Sequence, residues 1–169
     1  MKIEYLGYKK HYPYIFNDIY SLFSFRNDPI PNYTDNKESI EYLKGILKVI
    51  RTNYYPSFFD KAAYLFIELA YGHHFENGNK RLAVVSFGYF QELNRYSIRK
   101  KSFIEYKDKL KALFPHAEIK KKHEIKGNFA QGIYHLSRIL ANKEYRKGVS
   151  FDQLKEKVRT FLEFSLYKK

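Results

Sequence analysis

The chain has no cysteine, no tryptophan and one methionine in 169 residues, with only eight glycines and five prolines. Without cysteine there is no disulfide framework, no thiolate nucleophile and no Cys-ligated zinc site. That suits a reducing compartment, while a cysteine-free secreted effector is compatible too. So little glycine and proline argues against a turn-rich β sandwich and leaves room for long helices. No stretch approaches the roughly 20 apolar residues of a membrane span, and the first ten residues lack the apolar stretch of a secretory signal. The expectation is a soluble, cytoplasmic protein.

What is present is aromatic and basic. Seventeen tyrosines and 15 phenylalanines bring the aromatic share to 19%, too rich for a disordered chain. The net charge is +13. Such an excess can mark a polyanionic partner, nucleic acid included. The basic residues are scattered, however, and form no arginine-rich block, which favours a solvated surface. The length suits about one domain with a real core, and no repeat or linker interrupts it.

Hydrophobic spacing predicts an all-α fold, a helical bundle with little or no sheet. Ile15, Phe16, Ile19, Tyr20, Leu22 and Phe23 recur at near-helical spacing. Residues 27–36, dominated by Pro, Asn and Asp, read as a loop. A helix follows over about 39–51. Ser57 and Asp60 form a capping-box pattern ahead of an apolar helix that runs to about residue 71. Residues 79–94 predict a second helix, apolar nearly all round and therefore central. Downstream, helices are expected over about 100–114, 129–143 and 151–167, with residues 116–126 a loop or short hairpin.

The segment between the two best helices, residues 73–81, carries the candidate chemistry. Gly78 at a helix start lets the backbone approach an anion closely. The first turn of that helix offers unpaired N–H groups at the positive end of its dipole. Lys80 and Arg81 add cations where they otherwise oppose the dipole, a cost offset by a bound anion. His73, at the end of the preceding helix, is the natural general base. A base beside a phosphate cradle implies transfer of a phosphoryl or nucleotidyl group to a hydroxyl. His11, His116, His123 and His135 show no ligand spacing and read as structural or surface residues, and the run from Lys120 to His123 reads as a solvated loop.

The pattern His73-x-Phe75-x-Asn77-Gly78-Asn79-Lys80-Arg81 resembles the signature of the Fic/Doc (Fido) family, His-x-Phe-x-Asp/Glu-Gly/Ala-Asn-Gly/Lys-Arg. The flanking helices resemble those of its Doc, or death-on-curing, branch. The resemblance covers residues 55–98, within one Fic/Doc-like domain over 1–169 whose residues 100–169 form a helical extension. It implies that His73 deprotonates a Ser, Thr or Tyr hydroxyl of a target protein. Phe75 anchors the loop, and Gly78, Asn79, Lys80 and Arg81 bind phosphates. It further implies ATP as substrate, with Mg²⁺ as the family's metal, and transfer of AMP, or of the terminal phosphate in the Doc branch. A translation factor as target and an antitoxin as partner follow by the same analogy.

This chain departs from the pattern. Asn77 stands at the acidic metal position and carries no charge. Val84 replaces the second arginine of AMP-transferring members, which together with Lys80 points to the Doc branch. His74 replaces a common proline. Residues 34–38 match the family's inhibitory helix only in part, and without that arginine the match reads as chance. Two other readings follow: a binding module whose catalysis lapsed with the acidic ligand, and a basic nucleic-acid-binding domain.

Overall fold

In the computed structural model, which describes residues 2–23 and 29–169, seven α-helices surround one continuous buried cluster reaching from Leu6 to Leu166. The first helix, α1 (Tyr8–Phe23), buries Tyr12, Ile15, Phe16 and Ile19. It begins earlier than its apolar spacing alone announces and runs through Pro13. Pro13 is exposed, so the carbonyl that loses its helical donor there can turn to water. Tyr20 and Leu22 share the spacing but stay exposed.

Residues 29–36 form the expected loop; Asn27 and Asp28, part of the same expectation, lie outside the described residues. The helix α2 (Lys37–Val49) starts two residues ahead of Ser39 because Asn36 caps it, its side chain accepting from the Ser39 N–H at 3.0 Å. The helix α3 (Phe58–Tyr71) has the full capping box: Ser57 Oγ accepts from Asp60 N, and Asp60 Oδ2 accepts from Ser57 N at 3.0 Å. Its Ala62, Ala63, Leu65, Phe66, Leu69 and Ala70 are buried.

The helix α4 (Asn79–Leu93) is central as its composition requires. It lies along α3 and also meets α1 and α6 (Asn128–Ala141). The helices α5 (Phe103–Leu113) and α7 (Phe151–Ser165) complete the packing, α7 lying directly against α3. Ser102 and Ser150 open these two with further capping boxes, closed by Glu105 and Gln153.

A small antiparallel sheet joins β1 (Tyr96–Ile98) to β2 (Leu166–Lys168), with Ser97 opposite Tyr167. The last expected helix therefore stops at Ser165 rather than Tyr167. Leu166 is extended and buried, and pairs with Ile98. Residues 116–126 are irregular, with Ala117 and Ile119 buried as anchors. No helix among the described residues is long and apolar enough to cross a membrane.

Candidate active site

The chain leaves α3 at Gly72, turns through residues 73–78 and enters α4 at Asn79. Gly78 has φ 79° and ψ 0°, a left-handed conformation that glycine adopts without steric cost. Space demands glycine as well. A Cβ there would lie 2.9 Å from Pro31 Cγ and closer still to the Tyr33 hydroxyl. Having no side chain, Gly78 cannot cap α4. The N–H groups of Asn79, Lys80 and Arg81 therefore precede the first intrahelical bond, made by Leu82 N to Gly78 O at 3.0 Å.

Phe75 is buried, as an anchor should be, and meets Tyr33 edge-on at 5.1 Å between ring centres. Tyr33 is fully buried and donates its hydroxyl to Gly78 O at 3.0 Å. Burial pushes its pKa up, so the hydroxyl keeps the proton it donates. Asn79 is buried too. Its Oδ1 accepts from Phe75 N at 3.0 Å and its Nδ2 donates to Phe75 O at 2.5 Å, a clasp that closes the loop. With its side chain so engaged, what Asn79 can offer an anion is its backbone N–H.

Asn77, Gly78, Lys80 and Arg81 line one cavity of about 810 Å³, together with Val84. Leu22 and Phe23 of α1 close one part of it. Glu124, Tyr134, Arg138 and Lys143, from the C-terminal part of the chain, line it as well. Sequence reading had no means of placing those four at the motif, because they share no pattern with it. The segment after residue 28 was also missed. Pro29 O accepts from Asn77 Nδ2 at 3.1 Å and from Arg81 Nη1 at 3.2 Å, laying the loop across the motif.

His73 sits on the exposed connection with φ 48°, which costs a residue bearing a Cβ on the order of 1 kcal/mol. It lies outside the cavity lining. Arg95 shares the left-handed conformation, but only in the turn from α4 into β1. His74 is held differently. Its ring stacks on Tyr42, its carbonyl accepts from Ser39 Oγ, and burial followed by the neighbouring His73 lowers its pKa. Tyr42 donates to Glu68 at 2.8 Å, and burial with that carboxylate pushes it up to about 12.

The other histidines are structural or on the surface. His11 Nδ1 accepts from Gly7 N at 2.7 Å, and buried His135 meets Lys120 O at 3.0 Å. His116 and His123 are exposed. Among the described residues no group of three or more His, Asp or Glu side chains gathers in metal-binding proximity. Asn77 suits a hard divalent cation poorly. It is a neutral amide, its oxygen accepts from Gly78 N at 2.7 Å, and its nitrogen is committed to Pro29.

Residues 9–91, which include α1 to α4 up to Gln91 and the whole motif loop, match the model of the Fic/DOC family. No curated protein and no solved structure is matched. That stretch, just under half of the chain, is what resembles the Fic/Doc (Fido) family. It does not distinguish the branches.

Proposed function

We propose that this Fic/Doc-like chain transfers a phosphate-containing group from ATP to a Ser, Thr or Tyr hydroxyl of a target protein. The observation that carries the reading is Gly78. Its left-handed turn opens the N-terminus of α4 onto a cavity that Lys80 and Arg81 also line. Backbone N–H groups and two cations converge there, which suits phosphate oxygens.

His73 takes the proton from the acceptor hydroxyl. The freed oxygen attacks phosphorus while the bond to the leaving group breaks, and that group departs as ADP or, for AMP transfer, as pyrophosphate. The strained backbone at His73 supports a functional role, because an exposed loop has no packing need for a left-handed histidine. Val84 and Lys80 favour the Doc-like outcome, transfer of the terminal phosphate. Mg²⁺ is the family's metal and would neutralise phosphate charge when bound. Here Asn77 offers it a neutral amide, so the protein's own part in charge neutralisation falls to Lys80, Arg81 and the α4 terminus.

Restraint would come from a separate antitoxin, since Val84 gives an internal glutamate no guanidinium to hold. A cytoplasmic target, a translation factor among the candidates, fits the cysteine-free composition.

Incubating the protein with α- or γ-labelled ATP in a cell lysate tests the reading. Label from γ- but not α-labelled ATP on a protein band, lost in His73→Ala, is the expected result. Absence of label from both, in the native chain and in Asn77→Asp alike, would favour the lapsed binding module. The engagement of both amide atoms of Asn77 is the observation that favours that alternative.

A further inference from the structure

The stretch that matches the family ends at residue 91, yet the cavity does not. Its second wall is built by α6, through Tyr134, Ser137 and Arg138, and by Asn142 and Lys143 just beyond it. Lys80 and Arg81 stand on α4; Arg138 and Lys143 come from the second wall; Glu124 is the one carboxylate among the described lining residues. Apolar Val84, Ile125 and Ala141 lie among these charges.

Arg138 is half-buried, and the ion pairs among the described residues leave both it and Lys143 out. Its guanidinium instead rests 5.8 Å from the centre of the Tyr134 ring. That contact steadies the side chain without neutralising it. A partly dehydrated cation without a counter-ion is unfavourable, and an anion in the cavity relieves it. Cations on two walls suit an extended chain of charges better than a single one. Arginine's planar fork also grips phosphate oxygens two at a time. One turn after Arg81, α4 presents Val84, so along that helix the cationic lining stops, and among the described residues it resumes on the second wall.

We propose that Arg138, together with Lys143, binds the polyphosphate of a nucleoside triphosphate from the second wall of this cavity. The inference rests on the nucleotide reading above and adds to it two residues that lie outside the family match. Glu124 works against the same anion, so its removal strengthens binding.

Calorimetric titration of the full chain at fixed salt, with ATP, inorganic tripolyphosphate and adenosine as separate probes, decides the matter. Arg138→Ala is expected to weaken ATP and tripolyphosphate about tenfold and to leave adenosine unchanged. Arg138→Lys recovers part of the loss, Lys143→Ala gives a smaller one, and Glu124→Gln tightens both anions. Exposed Lys48 on α2, outside the cavity, serves as the control: Lys48→Ala binds like the native chain. Arg138→Gln, which keeps much of the stem, together with the melting temperature of each variant, separates lost charge from lost fold. If Arg138→Ala binds ATP normally while Lys80→Ala does not, the inference about Arg138 falls and the nucleotide reading stands. Equal loss of ATP and adenosine in a normally melting Arg138 variant also overturns it. If the native chain binds neither ATP nor tripolyphosphate, both fall.

Discussion

Gly78 and Asn79 are neighbours with different burdens. Gly78 supplies a conformation and an empty space, Asn79 a pair of buried hydrogen bonds across the loop. Gly78→Ala must hold a Cβ in the left-handed region and push Tyr33 aside, so a loss of about 1–3 kcal/mol is expected in urea unfolding. Asn79→Ala strands the Phe75 N–H and C=O, at a cost of about 2 kcal/mol. Its signature is wider, because the whole loop loosens: amide exchange speeds up at residues 73–78 as well as at the mutated site. Tyr33→Phe removes one hydroxyl from Gly78 O and costs about 1 kcal/mol. The sequence showed the glycine and the motif around it, since both are local. It could not show the clasp or Tyr33, whose partners are set by how the loop folds back.

At the scale of elements, caps and apolar spacing were the readable signals. Ser57 with Asp60, and the buried faces of α2 and α3, stand where local rules put them. Replacing Ser57 by Ala should cost about 1 kcal/mol, read as a lower denaturation midpoint with an unchanged slope. The starting point of α1 was not readable, because Pro13 looks like a boundary and is instead carried on an exposed face. Pro13→Ala restores a missing helical hydrogen bond and should raise the melting temperature. Nor was β2 readable. Residues 166–168 continue an amphipathic helical pattern, and only pairing with 96–98, supplied by a distant part of the chain, draws them out.

Across the whole molecule, the C-terminal helices complete the core that the motif helix occupies. α7 packs on α3 and α6 on both α3 and α4, so a fragment ending at residue 100 uncovers the faces of α3 and α4 that meet them. It is expected to lack a cooperative thermal transition when followed by circular dichroism. Acid should destabilise the intact protein through buried His135 and the half-buried His11 and His74. Burial lowers the pKa of His11, His74 and His135, helped by Lys10 at His11, by His73 at His74 and by Arg138 and Lys122 at His135, where the Lys120 carbonyl partly opposes it. Each folded value lies below the unfolded one near 6.5, so the unfolded chain takes up protons first. Stability is therefore full above that value and is lost as pH falls through it toward the folded values. Urea unfolding at pH 7.5, 6.5 and 5.5 should show the decline, and His135→Gln should flatten it.

The cavity has a first wall written early in the chain and a second written late. A ribosome delivers Lys80 and Arg81 well before Arg138 and Lys143, and while it does so the faces of α3 and α4 that meet α6 and α7 stay uncovered. A nascent chain can thus carry the complete motif and still be unable to hold a nucleotide. If the nucleotide is held from both walls, the order of synthesis is itself a delay on binding, ending only when α6 has emerged and docked.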